Sequence, residues 1–186
     1  MSLDAAPPGS VPGRPTVYLA GPDVFYPDAQ ARGERMKALC AARGWQGLFP
    51  LDAEGEDGLA PGLAIYQANR RLIAQADGVV ANLRDFRGFE PDSGTVWEVA
   101  HALALGKPVV GYLPQRSSLL ERLGNQVRHG RDAQGCLVED FGLPLNLMLA
   151  HSLHGLAFGP EQDLQGLQAA LQLLAPLLAR AGAAAP

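Results

Sequence analysis

Short blocks of apolar residues alternate with polar stretches along the chain, and this pattern predicts alternating strands and helices. Apolar runs that end at glycine, proline or polar clusters predict strands, and apolar residues recurring every three or four positions predict helices. Strands are predicted at 16–20, 45–50, 78–81, 108–112 and 153–158, and helices at 28–43, 62–76, 96–105, after Pro144 and at 163–180. The alternation predicts an α/β fold: a single-domain, flavodoxin-like, doubly wound five-stranded parallel sheet with flanking helices.

The predicted helix at 96–105 carries one residue that its composition does not explain. Glu98 lies among residues that are nearly all apolar, and a helix that is apolar all round is typical of a buried helix. A buried carboxylate must be paired, hydrogen-bonded or used in chemistry, because an unpaired buried charge is very costly. Two interpretations are open: Glu98 completes a capping box with Thr95, or it is a functional group.

A second carboxylate, Asp92, stands just before the same helix. The predicted strand–loop–helix order places this loop at the carboxyl end of a parallel strand, where ligands bind in such sheets. The helix start also offers free backbone N–H groups to a sugar hydroxyl or an anion. Asp92 and Glu98 together therefore indicate paired carboxylates of the kind that serve glycosidic-bond chemistry.

Other positions combine polar or aromatic chemistry with apolar surroundings. Phe25 and Tyr26 follow the first strand and indicate either a packed lid or a stacking surface for a flat ligand. Asn69 falls on the apolar face of its helix, and its amide offers a ligand both a donor and an acceptor. Asn146 lies in an apolar segment, where its amide needs partners, beside the adaptable side chain of Met148.

Length and charge limit the classes of function. The 186 residues predict one domain at 15–182 after a disordered tail at 1–14, with a solvated acidic loop at 51–61. A net charge of −4 without any Lys/Arg-rich run argues against a nucleic acid polymer as partner. No signal-peptide pattern and no run of eighteen apolar residues occur, so we expect a cytoplasmic protein and no membrane partner.

The cysteines and histidines do not follow a metal-binding pattern. Cys40 and Cys136 are far apart in the sequence, and we expect both to be buried, reduced thiols. The four histidines form no recognisable metal motif, so no metal is predicted, and no cofactor is predicted either.

Five separated motifs resemble those of the nucleoside 2-deoxyribosyltransferases. They follow the family's order and spacing, and the likeness covers about residues 15 to 160. The loop is similar to the branch of the family with the pattern Arg-Gly-x-Glu-Pro-Asp-x-Gly-Thr, which starts here at Arg87. The motifs lie at 18–22, 76–83, 86–95, 98–102 and 141–148.

The resemblance implies roles for particular residues. Glu98 matches the family's nucleophile, which attacks the anomeric carbon of the sugar, and Tyr18 matches the tyrosine whose hydroxyl holds that carboxylate. Asp92 matches the loop aspartate that contacts the substrate. Asn146 and Met148 match residues that reach the active site of a neighbouring subunit. The resemblance therefore implies a homo-oligomer, a dimer or an assembly of dimers, with active sites shared between subunits.

The resemblance also extends the expected substrate site. Asn69 stands where some members have a base-contacting aspartate, and an asparagine cannot be the proton donor that a protonated aspartate could be. Residues of the matching motifs and of the aromatic loop complete the expected substrate contacts. These are Gly21, Pro22, Phe25, Gly88, Ser93 and Gly94.

The function that the resemblance implies is transfer of a 2-deoxyribosyl group between nucleobases, through a covalent ester on Glu98 and with retained configuration. One alternative is a hydrolytic N-glycosidase acting on deoxynucleosides or deoxynucleotides. A nucleotide-specific form would need a phosphate cradle, for which the first loop offers only Gly21 and Pro22. The other alternative is a non-catalytic nucleotide-binding module, which leaves Glu98 unexplained. The preference for purines or pyrimidines stays open.

Overall fold

A computed structural model describes residues 13–52 and 58–183 of the chain. Strands and helices alternate, and four short 3₁₀ helices lie at Pro22–Phe25, Pro50–Asp52, Gly124–Gln126 and Gln162–Leu164. The strands are β1 (Thr16–Ala20), β2 (Gln46–Leu48), β3 (Gly78–Asn82), β4 (Val109–Leu113) and β5 (Gly155–Phe158). The α-helices are α1 (Ala29–Ala41), α2 (Pro61–Gln75), α3 (Ser93–Ala104), α4 (Leu119–Leu123), α5 (Leu147–Ser152) and α6 (Gln165–Ala183).

All five strands are parallel and lie in the order β2-β1-β3-β4-β5. This confirms the predicted doubly wound, flavodoxin-like sheet. The order reverses between β1 and β3, and ligands in such folds bind beyond the carboxyl ends of the strands at this point. The segments that follow β1 and β3 are therefore the expected walls of a site.

Apolar side chains cover both faces of the sheet, as expected for a parallel sheet with helices on each side. Every residue of β1, β3 and β4 is buried. One core, which includes Tyr18, packs against α2 and α3, and the other, which includes Tyr112, packs against α1 and α6. The sheet thus separates two compartments, and alternate residues of each strand face one or the other.

Helix α3 begins at Ser93, three residues before the predicted start, because Asp92 is its N-cap. The Asp92 carboxylate accepts hydrogen bonds from the backbone N–H of Thr95 at 2.9 Å and from its hydroxyl at 3.0 Å. The capping-box interpretation of Thr95 and Glu98 is therefore wrong. The expectation that α3 is buried all round is also wrong for this chain, since Trp97 is 41% exposed.

Three further expectations concern the chain outside the sheet. The predicted disordered tail and the acidic loop fall largely on 1–12 and 53–57, outside the described residues, although Arg14 donates a hydrogen bond to the Gly44 carbonyl. Cys40 is a buried thiol as expected, but Cys136 is exposed, because the segment after α4 has no apolar layer to cover it. In the described ranges no helix has the length and apolar character needed to cross a membrane.

Candidate active site

The centre of the site is a hydrogen bond between a strand and a helix that are far apart in sequence. Tyr18, at the middle of β1, is fully buried, and its hydroxyl donates to Oε1 of Glu98 at 2.6 Å. Eighty residues separate the two positions along the chain. Because Asp92 starts α3 early, Glu98 lies in the second turn, on the side of the helix that faces the sheet.

Glu98 stands between opposing electrostatic influences. Burial raises the pKa of its carboxyl to about 7, and the negative charge of Asp92 acts in the same direction, whereas the hydrogen bond from Tyr18 opposes both. Burial, followed by the charge and hydrogen bonding of Glu98, raises the pKa of Tyr18 well above its ordinary value. Tyr18 therefore keeps its proton at neutral pH and donates a hydrogen bond to the Glu98 carboxyl group.

Asn69 of α2 approaches the same carboxylate oxygen. Its Nδ2 lies 3.5 Å from Oε1 of Glu98, at the limit of a hydrogen bond, and its Oδ1 is buried and has no partner among the described residues. Both contacts that reach Glu98 from Tyr18 and Asn69 are made to Oε1. This arrangement leaves Oε2 as the oxygen that can face a substrate.

A cavity of about 370 Å³ opens beside Glu98. Six of the residues expected from the sequence to form the site line it: Gly21, Phe25, Asn69, Asp92, Gly94 and Glu98. Gly21 permits close packing of the turn after β1, because a Cβ at this position would lie 2.8 Å from the Cβ of Asn82. The volume falls within the range of small-molecule sites.

Phe25 and Tyr26, the two aromatic residues after β1, have different environments. Phe25 is 55% exposed at the cavity and stacks on Phe86 with ring centroids 5.3 Å apart, and the Arg87 guanidinium lies over both rings. Tyr26 instead carries Arg32 over its ring. Phe25 is thus the aromatic surface available to a ligand.

Six of the expected site residues do not line this cavity, and Tyr18 is one of them, since it contacts the site through Glu98. Pro22 is buried at the start of the first 3₁₀ helix, and Gly88 and Ser93 are exposed. Asn146 caps α5, where its Oδ1 accepts from the Met148 N–H at 3.0 Å, and Met148 is 73% exposed. Within one chain, therefore, the segment expected to serve a neighbouring subunit does not line its own Glu98 cavity.

Sequence reasoning missed half of the cavity wall. The missed residues are Val24, Pro50, Leu51, Ile65, Ala68 and Thr95. Helical spacing could have found two of them, since Ile65 precedes Asn69 by four positions and Ala68 by three, and both spacings bring side chains together on a helix. Pro50 and Leu51 follow β2. The only feature of the sequence that could have assigned them to the site is their position in a loop at the carboxyl end of a strand.

The described residues contain no group of three His, Cys, Asp or Glu side chains placed to hold a metal ion. The chemistry visible in the cavity is that of carboxylates, one phenol, one amide and backbone groups. Fold and site together define an α/β domain with a buried, phenol-bound carboxylate at a ligand cavity.

Comparison with known proteins gives the family. The model of the family described as nucleoside 2-deoxyribosyltransferase matches residues 17–148, which is more than half of the 186 residues. The chain belongs to the nucleoside 2-deoxyribosyltransferase family, as its motifs predicted.

Individual relatives agree with this placement. A solved structure of a 2-deoxyribosyltransferase from Leishmania mexicana is 34% identical, with a TM-score of 0.62 over 73% of this chain and 85% of that one. An uncharacterized protein from Schizosaccharomyces pombe is 37% identical over 60% of this chain, which spans about half of that protein's length (54%). A conserved protein from Enterococcus faecalis, at 23% identity and a TM-score of 0.55, covers 86% of this chain and 99% of its own, and shares the fold.

Proposed function

We propose that this protein transfers a 2-deoxyribosyl group from one nucleobase to another through a covalent ester on Glu98. The observation that carries the proposal is the 2.6 Å hydrogen bond from Tyr18 to Oε1 of Glu98 at the wall of a cavity. A carboxylate fixed by one oxygen presents the other to a substrate, and a partly buried carboxylate at a cavity wall is costly to keep ionised, which favours a chemical role beyond its contact with Tyr18.

The reaction consists of two displacements at the anomeric carbon. In the first, Oε2 of Glu98 forms a C–O bond, the C–N glycosidic bond breaks, and its electron pair leaves with the departing base. In the second, a nitrogen of the incoming base displaces the ester oxygen and restores Glu98; the proton that this nitrogen loses balances the proton that the departed base takes up. Two inversions give net retention, as in retaining glycosidases. Tyr18 donates to Oε1 throughout and limits the charge that develops on the carboxylate.

The cavity wall supports nucleosides as substrates over nucleotides. Among the described residues that line it there is no Lys or Arg, whereas Asp92 and Glu98 are both acidic. The segment 53–57, which lies outside the described residues, has the sequence Ala-Glu-Gly-Glu-Asp and adds no cation. A 5′-phosphate at this wall would therefore meet negative charge, with no cation among the described lining residues to compensate it.

A base-exchange assay tests the proposal against both alternatives. The purified protein is incubated with a 2-deoxynucleoside and a second free base, and products are separated by chromatography. We expect the exchanged nucleoside to form, and to form faster than from the corresponding 5′-monophosphate. Free deoxyribose as the dominant product would indicate a hydrolase. Neither product, with binding retained, would indicate a binding module.

The pH dependence of transfer follows from the burial of Glu98. The nucleophile must be ionised, and burial raises its pKa to about 7. We expect kcat/KM to rise about tenfold per pH unit below the Glu98 pKa and to level off above it. Initial rates between weakly acidic and weakly basic pH measure this limb. A profile that is flat through this range would contradict an essential carboxylate with a raised pKa.

Replacing Tyr18 by phenylalanine separates the catalytic and packing contributions of this residue. The ring remains in the core, so we expect little change in melting temperature, but the rate should fall about tenfold to a thousandfold because a charge-assisted hydrogen bond is lost. Since that bond lowers the pKa of Glu98, its loss should also move the acidic limb to higher pH. An unchanged rate and an unchanged limb would assign Tyr18 to packing alone.

The outer faces of α2 and α3 support an assembly of subunits. The exposed rings of Tyr66 and Trp97 form a continuous aromatic row with the partly buried ring of His101, with ring centroids 5.4 Å and 4.9 Å apart. A contiguous apolar surface of this kind typically marks a contact site. Asn146 and Met148 stand outside their own chain's cavity, which leaves them available to a partner. We propose a homo-oligomer in which each cavity is completed by the other subunit.

A further inference from the structure

A second cavity, of about 260 Å³, lies beyond the carboxyl ends of the strands on the side of α6. Segments that follow β1, β3, β4 and β5 form it, and it shares no lining residue with the Glu98 cavity. The two are close neighbours at Gly21: a Cβ added there would lie 2.9 Å from Oδ2 of Asp23, which lines the second cavity. It occupies the edge of the sheet at which this fold places ligands.

The charged side chains of this second cavity already form ion pairs within the chain. Two arginines and three carboxylates line it, and Arg32 supplies a third cation from behind. Asp23, which is 2% exposed, also accepts a hydrogen bond from Asn82 at 2.8 Å. The ion pairs are Arg84–Glu161, Arg32–Glu161, Arg32–Asp23 and Arg122–Asp85. A phosphate or a metal ion would have to break these pairs, so the charges favour an uncharged ligand.

Tyr112 of β4 contributes a polar group that has neither a charge partner nor a hydrogen bond, whereas Nη1 of Arg84, which also lacks a hydrogen bond, is ion-paired with Glu161. The residue is 7% exposed, and its hydroxyl has no hydrogen-bond partner among the described residues. Gly166 lets the ring lie against α6, because a Cβ there would come within 2.8 Å of Cδ2 of Tyr112. A buried hydroxyl without a partner is unfavourable, and a hydrogen-bonding ligand in the cavity would remove that cost.

The remaining wall sets the shape of such a ligand. Leu113, Pro114, Pro160 and Leu164 give apolar surfaces, and the exposed amide of Gln115 stands nearby. The volume is below the roughly 300–1,000 Å³ of sites for drug-sized ligands. The cavity thus combines apolar surfaces, matched charges and hydrogen-bonding groups in a space suited to a single flat ring system.

We propose that this cavity is a second binding site, for an uncharged heterocycle of nucleobase size. Its ring faces would lie against the apolar wall, and its polar edge would reach the Tyr112 hydroxyl and the carboxylate oxygens of Asp85 and Glu161. The proposal concerns binding alone. It does not depend on transfer at Glu98, so either proposal can fail without the other.

Site-resolved binding by NMR tests this. Methyl-labelled wild-type protein is titrated with free adenine and, separately, with free cytosine, in the absence of any nucleoside so that no reaction occurs. Methyls of Leu113 and Leu164 report on the second cavity, and those of Ile65 and Leu51 report on the Glu98 cavity. We expect at least one base to give saturable shifts at Leu113 and Leu164. Shifts confined to Ile65 and Leu51, or no shifts at millimolar base, would overturn the proposal.

Two matched variants locate the ligand. Tyr112→Phe removes only the unpartnered hydroxyl and should weaken binding at Leu113 and Leu164 about three- to tenfold, as expected for one hydrogen bond. Tyr18→Phe removes the equivalent hydroxyl from the other face of the sheet and should leave that affinity unchanged. Equal affinity in Tyr112→Phe and wild type would overturn the proposal. Should Tyr112→Phe fail to fold, Gln115→Ala at the exposed rim replaces it, with weaker binding expected and unchanged binding contradicting the site.

Discussion

Replacing Glu98 by alanine should reduce base exchange to less than about a hundredth of the wild-type rate, because a covalent catalyst contributes far more than one hydrogen bond. The substitution removes the oxygen that we propose as the nucleophile, and we expect the sheet to stay intact. Tyr18 and Asn69, which both approach Oε1, would lose their shared partner. Steady-state rates of formation of the exchanged nucleoside measure the effect.

A matched control is available on α1. Glu34 is an exposed helical glutamate whose partner is Lys37, and Glu34→Ala should exchange bases at the wild-type rate. A Glu98→Ala protein that retained more than about a hundredth of wild-type turnover would exclude Glu98 as nucleophile, since no other group could replace a covalent catalyst at that rate. Circular dichroism of both variants checks that the fold is retained.

The stability of Glu98→Gln gives an independent check on the buried carboxylate. The pKa of Glu98 is raised from 4.5 to about 7 in the folded protein, so its contribution to stability is complete below 4.5 and is lost as pH rises through about 7. Glutamine does not ionise. We therefore expect Glu98→Gln to gain stability over wild type at about pH 8, on the order of 1–3 kcal/mol, and the gain to shrink as pH falls below the Glu98 pKa.

Mixing two weakly active variants should restore activity if each cavity is built from two subunits. Glu98→Ala lacks the nucleophile, and Asn146→Ala lacks the amide that the proposal assigns to the partner's cavity. In a mixed dimer one cavity receives Glu98 from one chain and Asn146 from the other, and the second cavity lacks both. Random mixing makes half of the dimers mixed with one complete cavity each, so about a quarter of wild-type activity per total site should return.

This result depends on exchange of subunits, which native mass spectrometry of differently labelled variants establishes. The Asn146 side chain also caps α5 and bonds to Glu139 at 2.7 Å, so Asn146→Asp is a second variant that keeps an acceptor for the Met148 N–H. If exchange is complete and activity stays at the level of the separate variants, Asn146 does not act in the partner's cavity and the shared-site proposal fails.

The strands of the sheet could be predicted from the sequence, because each is a short apolar run between glycine, proline or polar residues. Each predicted strand overlaps an observed one, and the parallel order follows from alternation with helices. The early start of α3 was not accessible, because Asp92, Ser93 and Thr95 all suit an N-cap. Only the folded loop shows that Asp92 makes the capping bonds.

The site residues also fall into those that the sequence could identify and those that only the folded structure reveals. Glu98 could be identified because an acidic residue interrupts an apolar helix, and the pairing with Tyr18 followed from the family resemblance. A buried tyrosine in a strand is otherwise ordinary core, and Tyr112 illustrates this, since nothing in β4 distinguishes it from Tyr18 before folding. Cys136 was misassigned because burial was expected of both cysteines from their distance and lack of metal spacing alone, whereas Cys136 is exposed beside Leu137, which is itself 74% exposed.

The most direct test of the central claim is detection of the sugar on Glu98. Wild-type protein is incubated with a 2-deoxynucleoside and a slow second base, quenched in acid and digested with trypsin. Trypsin does not cleave the Lys107–Pro108 bond and therefore releases residues 88–116 as one peptide. Fragmentation is needed, because this peptide also contains Glu90 and Asp92. We expect the added mass of one deoxyribosyl group on Glu98, and none in Glu98→Ala. Base exchange in wild type without an adduct on Glu98, or with the adduct on Glu90 or Asp92, would contradict the account.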